Sequence, residues 1–112
     1  MAISMLMEWE GVTQEQYDRG MEGLHLDENP PEGLILHIAG PAEGGWRVVD
    51  IWESAGAWER FLNERLAPVV QQVGMSGEPR VQVIPVHNVY APGADEVARM
   101  GALSLASAAL RA

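Results

Sequence analysis

Two short segments of the chain carry apolar residues at neighbouring positions and not only at alternate ones. They are Leu34–Ile38, interrupted by a single histidine, and Val81–Val86, which contains one glutamine and one proline. Short apolar runs between glycine- and proline-bearing segments predict strands that are buried on both faces. A small sheet with helices on one face then needs a cover for the other face. A second copy of the chain is the simplest cover, because large exposed apolar patches are uncommon on soluble monomers.

The first part of the chain predicts a strand followed by a helix. Ile3, Met5, Met7 and Trp9 alternate with mainly polar residues, which indicates a strand with one strongly apolar face. Residues 13–16 have the capping-box pattern, and apolar residues follow at helical spacing, so the first helix is predicted from residue 13 to residue 24. Residues 27–33 are acidic and contain two successive prolines, which predicts a loop.

The remaining chain predicts three strands and two helices. The strands are expected at 34–39, 46–53 and 80–89, with 40–45 as a hairpin connection. Ser54 is placed to cap a second helix that reaches Gly74, with Pro68 kinking or restarting it. Residues 93–112 are alanine-rich and predict a third helix. The order predicts an α+β, ferredoxin-like βαββαβ domain with an antiparallel sheet at residues 1–91, and a helical extension at 92–112.

Composition argues against several classes of function. The formal net charge is −9 and the chain has arginine but no lysine, which argues against a nucleic-acid partner. There is no cysteine, so thiolate metal sites and cysteine nucleophiles are excluded. The three histidines have no metal-binding spacing, and Gly44–Gly45 precedes a strand instead of a helix, so we expect neither a metal nor a nucleotide. The N-terminus has no signal-peptide pattern and no run is long enough to span a membrane, which favours a cytoplasmic protein.

His37 and Asp50 are the leading candidates for proton transfer. His37 lies among aliphatic residues, and Asp50 alternates with apolar residues of the third predicted strand. A neutral imidazole or a buried carboxylate can act as a base. If the hairpin closes with Ala39 opposite Trp46, His37 faces Val48 and lies diagonal to Asp50, whereas a shift by one residue separates the pair. The alternative interpretation is a core histidine bonded to the backbone or to a dimer partner.

Other polar candidates lie near the ends of predicted elements. His87 and Asn88 end the fourth predicted strand, and we assign His87 to the catalytic set and Asn88 to substrate binding. The phase of the strand decides which of them faces a pocket, and the alternative is that both satisfy backbone groups. His25 is expected to be exposed beside the acidic loop. Arg47 is expected to pair with Glu53 at the surface, and holding an anionic substituent is the alternative.

Several aromatic side chains are candidates for contact with a flat ligand. The chain has four tryptophans among its 112 residues. We assign Trp46 and Trp52 to a ligand-binding set, together with Tyr17 of the first helix, since aromatic rings suit the wall of an apolar pocket. Trp58 is assigned to packing because it shares helical spacing with apolar neighbours. Ordinary core and dimer packing is the alternative for Trp46 and Trp52.

The element order and one segment together resemble the dimeric α/β barrel superfamily. The segment is 44–54, a strand that ends in Trp-Glu-Ser, followed by a helix with Trp58, Phe61 and Leu62. The resemblance covers about residues 2–89. This superfamily includes antibiotic-biosynthesis monooxygenase domains, certain polyketide cyclases and small stress-responsive proteins. The resemblance implies a homodimer whose sheets face each other, with a hydrophobic pocket between sheet and helices in each subunit.

The function that the resemblance implies is that of a small enzyme without a cofactor. Such a monooxygenase or cyclase would act on a hydrophobic aromatic or polyketide-like molecule. A histidine or aspartate would remove a proton, and the carbanion would react with oxygen or with an internal carbonyl. The alternative is a homodimer, without catalysis, that binds a small molecule or serves a stress response. Haem-degrading members use a histidine on the second helix, and residues 58–73 contain none, so that activity is not expected.

Overall fold

Four antiparallel strands form one sheet in the computed structural model, which describes residues 1–100. The strands are β1 (Ile3–Glu10), β2 (Leu34–Ala42), β3 (Gly45–Trp52) and β4 (Arg80–Pro85). Their order across the sheet is β2-β3-β1-β4, and each neighbouring pair is antiparallel. Together with the helices between β1 and β2 and between β3 and β4, this order confirms the predicted α+β, ferredoxin-like fold.

The first helix, α1 (Gln14–Leu24), begins where the sequence predicts. Thr13 is its N-cap and accepts a hydrogen bond from the Gln16 amide, while the Gln16 side chain accepts one from the Thr13 amide. This reciprocal pair satisfies two donors that the first turn of a helix leaves free. The start of α1 is therefore fixed by local sequence.

The second helical region is one predicted helix divided into three parts. It consists of α2 (Ala55–Phe61), a π-helical turn (Leu62–Leu66) and α3 (Ala67–Gln72). The Ala67 amide donates to the Leu62 carbonyl, five residues earlier. Pro68 follows at the start of α3, where its missing N–H is tolerated. The predicted interruption at Pro68 is thus a π-helical turn followed by a restarted helix.

The core lies between the helices and one face of the sheet. Ile3, Met5 and Met7 of β1 are buried there, which confirms the predicted apolar face of this strand. Trp52 and Trp58 pack against each other at 5.9 Å between ring centroids.

None of the described helices is long and apolar enough to cross a lipid bilayer.

The hairpin between β2 and β3 is longer than predicted. Strand pairing continues to Ala42 opposite Gly45, which leaves only residues 43 and 44 as the turn, with Gly44 at a φ of 76°. The prediction of a loop at 40–45 is wrong because it treated Gly40 and Pro41 as strand breakers. β2 is an edge strand, where the missing N–H of a proline need not break the pairing.

A bulge in β2 alters the usual alternation of side chains. The register shifts between Leu34, which lies opposite Trp52, and Leu36, which lies opposite Ile51, so Ile35 is the extra residue. Leu34 and His37 are three positions apart, yet both lie on the helix side of the sheet, where both line one cavity.

The last predicted strand is also shorter than expected. β4 ends at Pro85, not at residue 89, and the Val86 amide then donates to the Ala2 carbonyl at 3.0 Å. Residues 94–100 are helical and exposed. The rest of the predicted third helix, 101–112, lies outside the described residues, and the division into a domain and an extension stays a prediction.

The face of the sheet away from the helices is apolar over much of its area. Residues that share this face by register are Leu6, Leu36, Ile38, Val49, Ile51 and Ile84. Ile38 is 55% exposed and Ile84 is 50% exposed in the described part of the chain. The sequence prediction of a sheet that is apolar on both faces thus corresponds to exposed apolar surface on the single chain.

Candidate functional site

A cavity lies between the sheet and the helices, next to the core. Its walls are mainly apolar and rich in aromatic and methionine side chains. Met7, Trp9 and Trp46 contribute from the strands, and Tyr17, Met21 and Phe61 from the helices. Such a lining favours apolar and aromatic molecules, with the few polar groups fixing their orientation.

Four side chains form a continuous hydrogen-bonded chain along the cavity wall. The Tyr17 hydroxyl lies 2.6 Å from Nε2 of His37, and Nδ1 of His37 lies 2.7 Å from Oδ1 of Asp50. The Trp52 indole N–H donates to Oδ2 of Asp50 at 3.0 Å. We refer to Tyr17, His37 and Asp50 as the Tyr-His-Asp chain. It places a phenol, an imidazole and a carboxylate in series, with the carboxylate innermost.

The strand register brings His37 and Asp50 together. They lie directly opposite each other in the β2–β3 pair, two positions away from the diagonal arrangement predicted from the sequence. Ala39 pairs with Val48, not with Trp46 as that prediction required, because the turn at residues 43–44 is centred one residue later than the predicted connection 40–45. A shift by two positions keeps each side chain on the same face of the sheet, so His37 and Asp50 still lie together although the predicted register was wrong.

With Asp50 as a carboxylate, one tautomer of His37 pairs every donor of the Tyr-His-Asp chain. Indole nitrogen can only donate, so Asp50 accepts at Oδ2, and as a carboxylate it also accepts from Nδ1–H of His37. Nε2 of His37 is then an acceptor for the Tyr17 hydroxyl. Asp50 thereby selects the tautomer whose free lone pair points towards Tyr17, which is the role of a carboxylate behind a catalytic imidazole.

Burial keeps the Tyr17 phenol neutral. It raises the pKa of Tyr17 well above the usual 10.0, and the negative charges of Asp50 and Asp18 raise this pKa further. The Tyr17 and His37 rings lie parallel, with centroids 6.1 Å apart, so the hydrogen bond joins them edge to edge. The hydroxyl can therefore pass a proton to His37 as it receives another, but it is not a resident phenolate.

Trp46 has a polar atom that the described residues leave unused. Its Nε1 is buried and has no hydrogen-bond acceptor among residues 1–100. The ring packs against Tyr17 with centroids 5.1 Å apart. Trp9, another wall residue, instead donates its indole N–H to the Ser76 carbonyl at 3.0 Å.

The structure keeps Trp52 at this cavity but places His87 and Asn88 away from it. Trp52 is fully buried in its wall, whereas His87 and Asn88 are exposed beyond the end of β4 and do not line it. They leave the predicted strand because β4 ends at Pro85. Within residues 1–100, no three His, Cys, Asp or Glu side chains are grouped as a metal site would require.

Two surface predictions have different outcomes. His25 is exposed, as predicted, and it ends α1 in the left-handed conformation at a φ of 51°. The predicted pair between Arg47 and Glu53 is wrong. Arg47 lies opposite Glu8 in the β1–β3 register and pairs with it at 3.1 Å.

Sequence reasoning missed the part that Tyr17 plays in the hydrogen-bonded chain. It assigned Tyr17 to ligand contact only, because the partner of a helical side chain depends on how the helix lies across the sheet. The available signal was a tyrosine on the apolar face of α1, while a lone histidine lay on the apolar strand β2. The unused indole N–H of Trp46 had no sequence signal.

Solved structures with the same fold include proteins from several bacteria. The NE2512 protein of unknown function from Nitrosomonas europaea has a TM-score of 0.63 and 16% identity over 82% of this chain and 95% of that chain. SnoaB, a cofactor-independent oxygenase from Streptomyces nogalater, has a TM-score of 0.57 and 8% identity over 79% and 94%. A candidate antibiotic biosynthesis monooxygenase from Deinococcus radiodurans has 0.56 and 11% over 80% and 96%.

These likenesses confirm the predicted resemblance to antibiotic-biosynthesis monooxygenase-like proteins at the level of the fold. No model of a protein family and no curated protein sequence matches the chain. A shared fold at such low identity does not carry a reaction with it, since one fold supports many activities. The chemistry that this chain can perform depends on its own cavity and hydrogen bonds.

Proposed function

We propose that this protein is a small enzyme that works without a cofactor and removes a proton from an apolar, aromatic or polyketide-like molecule in the cavity. The observation that carries the proposal is the Tyr-His-Asp chain, with distances of 2.6 and 2.7 Å, at the wall of an apolar cavity. A base held by a second group, which is itself oriented by a third, is the usual arrangement for activated proton transfer.

Each residue of the Tyr-His-Asp chain has its own role. Tyr17 contacts the substrate and takes its proton while the Tyr17 proton moves to Nε2 of His37. His37 is the base, and Asp50 holds its tautomer and stabilises the imidazolium that forms. Asp50 is 4% exposed, so its charge acts in surroundings of low polarity, where such stabilisation is strong.

The cavity favours a substrate with a flat apolar body. Rings of Trp9, Trp46 and Phe61 and the sulfur-bearing side chains of Met5 and Met7 are among its walls. Aromatic edges and polarisable sulfur suit conjugated molecules. An apolar surrounding also protects a carbanion from protonation by water.

The carbanion has two outcomes that need no cofactor. In an oxygenase it would transfer electrons to molecular oxygen, so that a CH2 group becomes a carbonyl and one molecule of oxygen yields the new carbonyl oxygen and one water. In a cyclase it would attack a carbonyl of the same molecule. SnoaB, a cofactor-independent oxygenase with the same fold, is a precedent for the first outcome.

Turnover of a panel of polyphenols and hydroxyaryl ketones tests the proposal, with oxygen uptake recorded alongside substrate loss. Oxygen is consumed by an oxygenase and not by a cyclase. His37→Gln is expected to lower kcat by about 10²- to 10⁴-fold, the usual contribution of a positioned base. The matched control is His25→Asn, which changes an exposed histidine and suits its left-handed backbone.

Equal rates for wild type and His37→Gln would contradict the proposal. Ligands that raise the melting temperature of the protein without being consumed would favour the alternative, a binding protein without catalysis. The apolar lining of the cavity is compatible with both functions, so turnover and thermal stabilisation have to be measured on the same compounds.

The protein is also proposed to act as a homodimer. The helix-free face of the sheet carries Leu36, Ile38, Val49 and Ile84, and two of these side chains are at least half exposed on the single chain. Exposed apolar sheet of this kind marks an interaction surface. A symmetric second copy would cover it with an equally apolar face.

A further inference from the structure

The indole N–H of Trp46 is an unpaired donor at the cavity wall in the described part of the chain. This donor is buried, lies on a residue that lines the cavity, and has no acceptor among residues 1–100. Two other indoles of the same walls are satisfied: Trp9 donates to the Ser76 carbonyl and Trp52 donates to Asp50. Buried donors are almost always paired, because removing them from water without a partner costs free energy. A ligand in the cavity could supply the acceptor that the Trp46 N–H lacks.

The position of Trp46 places its ring beside the proton-transfer groups. Trp46 and Asp50 are four residues apart on β3, so they share one face of the sheet. The Trp46 ring packs against the Tyr17 ring at 5.1 Å. A ligand bound against both rings would meet the Tyr17 side chain and the Trp46 indole at the same wall of the cavity.

We propose that Trp46 Nε1 donates a hydrogen bond to a carbonyl oxygen of the substrate, and that the substrates are therefore aromatic ketones with an acidic C–H next to the carbonyl. This inference rests on the proposed function and names the substrate class of the same site. An indole can only donate, so the group it selects is an acceptor. A carbonyl is the acceptor that also acidifies the adjacent C–H bond.

The proposed step balances within these groups. The C–H proton moves to the Tyr17 oxygen while the Tyr17 proton moves to Nε2 of His37. The electrons of the C–H bond form a carbon–carbon double bond, and the carbonyl π electrons move to oxygen, which becomes an enolate. The hydrogen bond from the Trp46 N–H to this oxygen then strengthens as negative charge develops there, as in an oxyanion hole.

Binding of a matched pair of probes tests the inference without any turnover. The probes are 1-indanone and indane, which share a bicyclic frame and differ by the carbonyl. Titrations are followed by ¹H–¹⁵N spectra, in which the four tryptophans give separate indole signals. We expect 1-indanone to bind about tenfold more tightly than indane, as one buried hydrogen bond to a ligand provides. Only 1-indanone should shift the Trp46 indole proton downfield.

The decisive variant is Trp46→Phe, which keeps an aromatic ring and removes the N–H. It should lower the affinity for 1-indanone to that for indane and leave indane unchanged, while circular dichroism confirms folding. The matched control is Trp9→Phe, which removes an indole N–H that already donates to Ser76, and it should keep the preference for the ketone.

Three outcomes would overturn the inference: an unchanged ketone preference in Trp46→Phe, equal binding of both probes to wild type, or no binding of either at millimolar concentration. The proposed function has a separate readout, because His37→Gln acts on turnover and not on the preference for a carbonyl. A Trp46-dependent preference without turnover of any substrate would retain the ketone-binding site and reject the enzyme.

Discussion

Asp50 is the one polar side chain that is buried in the described part of the chain, at 4% exposure. Its two carboxylate oxygens serve different neighbours, His37 on β2 and Trp52 in the core. The residue therefore belongs to the proposed reaction and to the packing at once. A change at this position is expected to alter both.

Asp50→Asn is expected to reduce the free energy of unfolding by about 1–3 kcal/mol, since the amide places a donor against one of two N–H groups. Urea unfolding at neutral pH measures this difference. Asp18→Asn is the control, because Asp18 is exposed on α1 and its change should have little effect. Equal free energies of unfolding for Asp50→Asn and wild type would mean that the hydrogen bonds from His37 and Trp52 to the Asp50 carboxylate do not stabilise the fold.

The Tyr17 phenol is expected to ionise well above its usual pH range, because burial and the charges of Asp50 and Asp18 raise its pKa. The folded pKa lies above the unfolded one. Neutral Tyr17 therefore stabilises the fold fully below pH of about 10, and this contribution is lost as the pH rises from there through the folded pKa.

Absorbance of tyrosinate follows the ionisation of Tyr17 in Tyr90→Phe, in which Tyr17 is the remaining tyrosine of the two. Tyrosinate should form only together with unfolding. In Tyr17→Phe the alkaline loss of stability should be smaller. Ionisation of Tyr17 near pH 10 in the folded protein would show that the phenol is solvated.

Sequence reasoning could propose His37 and Asp50 because each is a polar residue inside an apolar strand, where an unpaired polar group is costly. It could not place Tyr17 in the same chain. That contact depends on how α1 crosses the sheet, and local spacing does not determine this. His87 and Asn88 were proposed as ends of a strand that in fact stops at Pro85.

At the scale of elements, the start of β3 depends on the close approach of two backbones. A Cβ at Gly45 would overlap the carbonyl oxygen of Trp9 in the neighbouring strand β1. Gly45→Ala is expected to destabilise the protein by about 1–3 kcal/mol or more, because two paired strands would have to separate. Urea unfolding tests this expectation.

Gly40→Ala is the matched control in the same hairpin. A Cβ at Gly40 meets nothing within 4 Å, so its effect should stay within about 0.5 kcal/mol. Similar losses of unfolding free energy in Gly45→Ala and Gly40→Ala would contradict this explanation. The destabilisation would then not come from the contact with Trp9.

Element order was predictable from the sequence because the first cap, the loop prolines and the apolar periods agree with one another. Element ends were less predictable where tertiary context decides them. Gly40 and Pro41 remain in β2 because β2 is an edge strand, and the helix after Ser54 contains a π-helical turn ahead of Pro68. Edge position is a property of the whole sheet and is not present in local sequence.

At the scale of the whole molecule, the apolar face of the sheet predicts self-association. Wild type is expected to sediment as a dimer at micromolar concentration. Ile38→Glu places a charge at a position that is 55% exposed on the single chain and should shift the protein to monomer.

Gln72→Glu adds the same side chain at an exposed position of α3 and should leave the dimer intact. Both variants should keep the circular dichroism of wild type. A monomeric wild type, or a dimeric Ile38→Glu, would show that the helix-free face is not where two copies meet.

The bulge at Ile35 separates a loop whose length can vary from a hairpin segment, His37 to Asp50, whose length is fixed by the pairing. The pairing of His37 with Asp50 is counted from the turn at residues 43–44, so every residue between them is needed in its present number. Residues before Ile35 are separated from that count by the bulge. Insertions in the loop at 27–33 can therefore accumulate during evolution without disturbing the hydrogen-bonded pair. A single insertion between His37 and Asp50 that shifted the register by one would part them and retain the architecture.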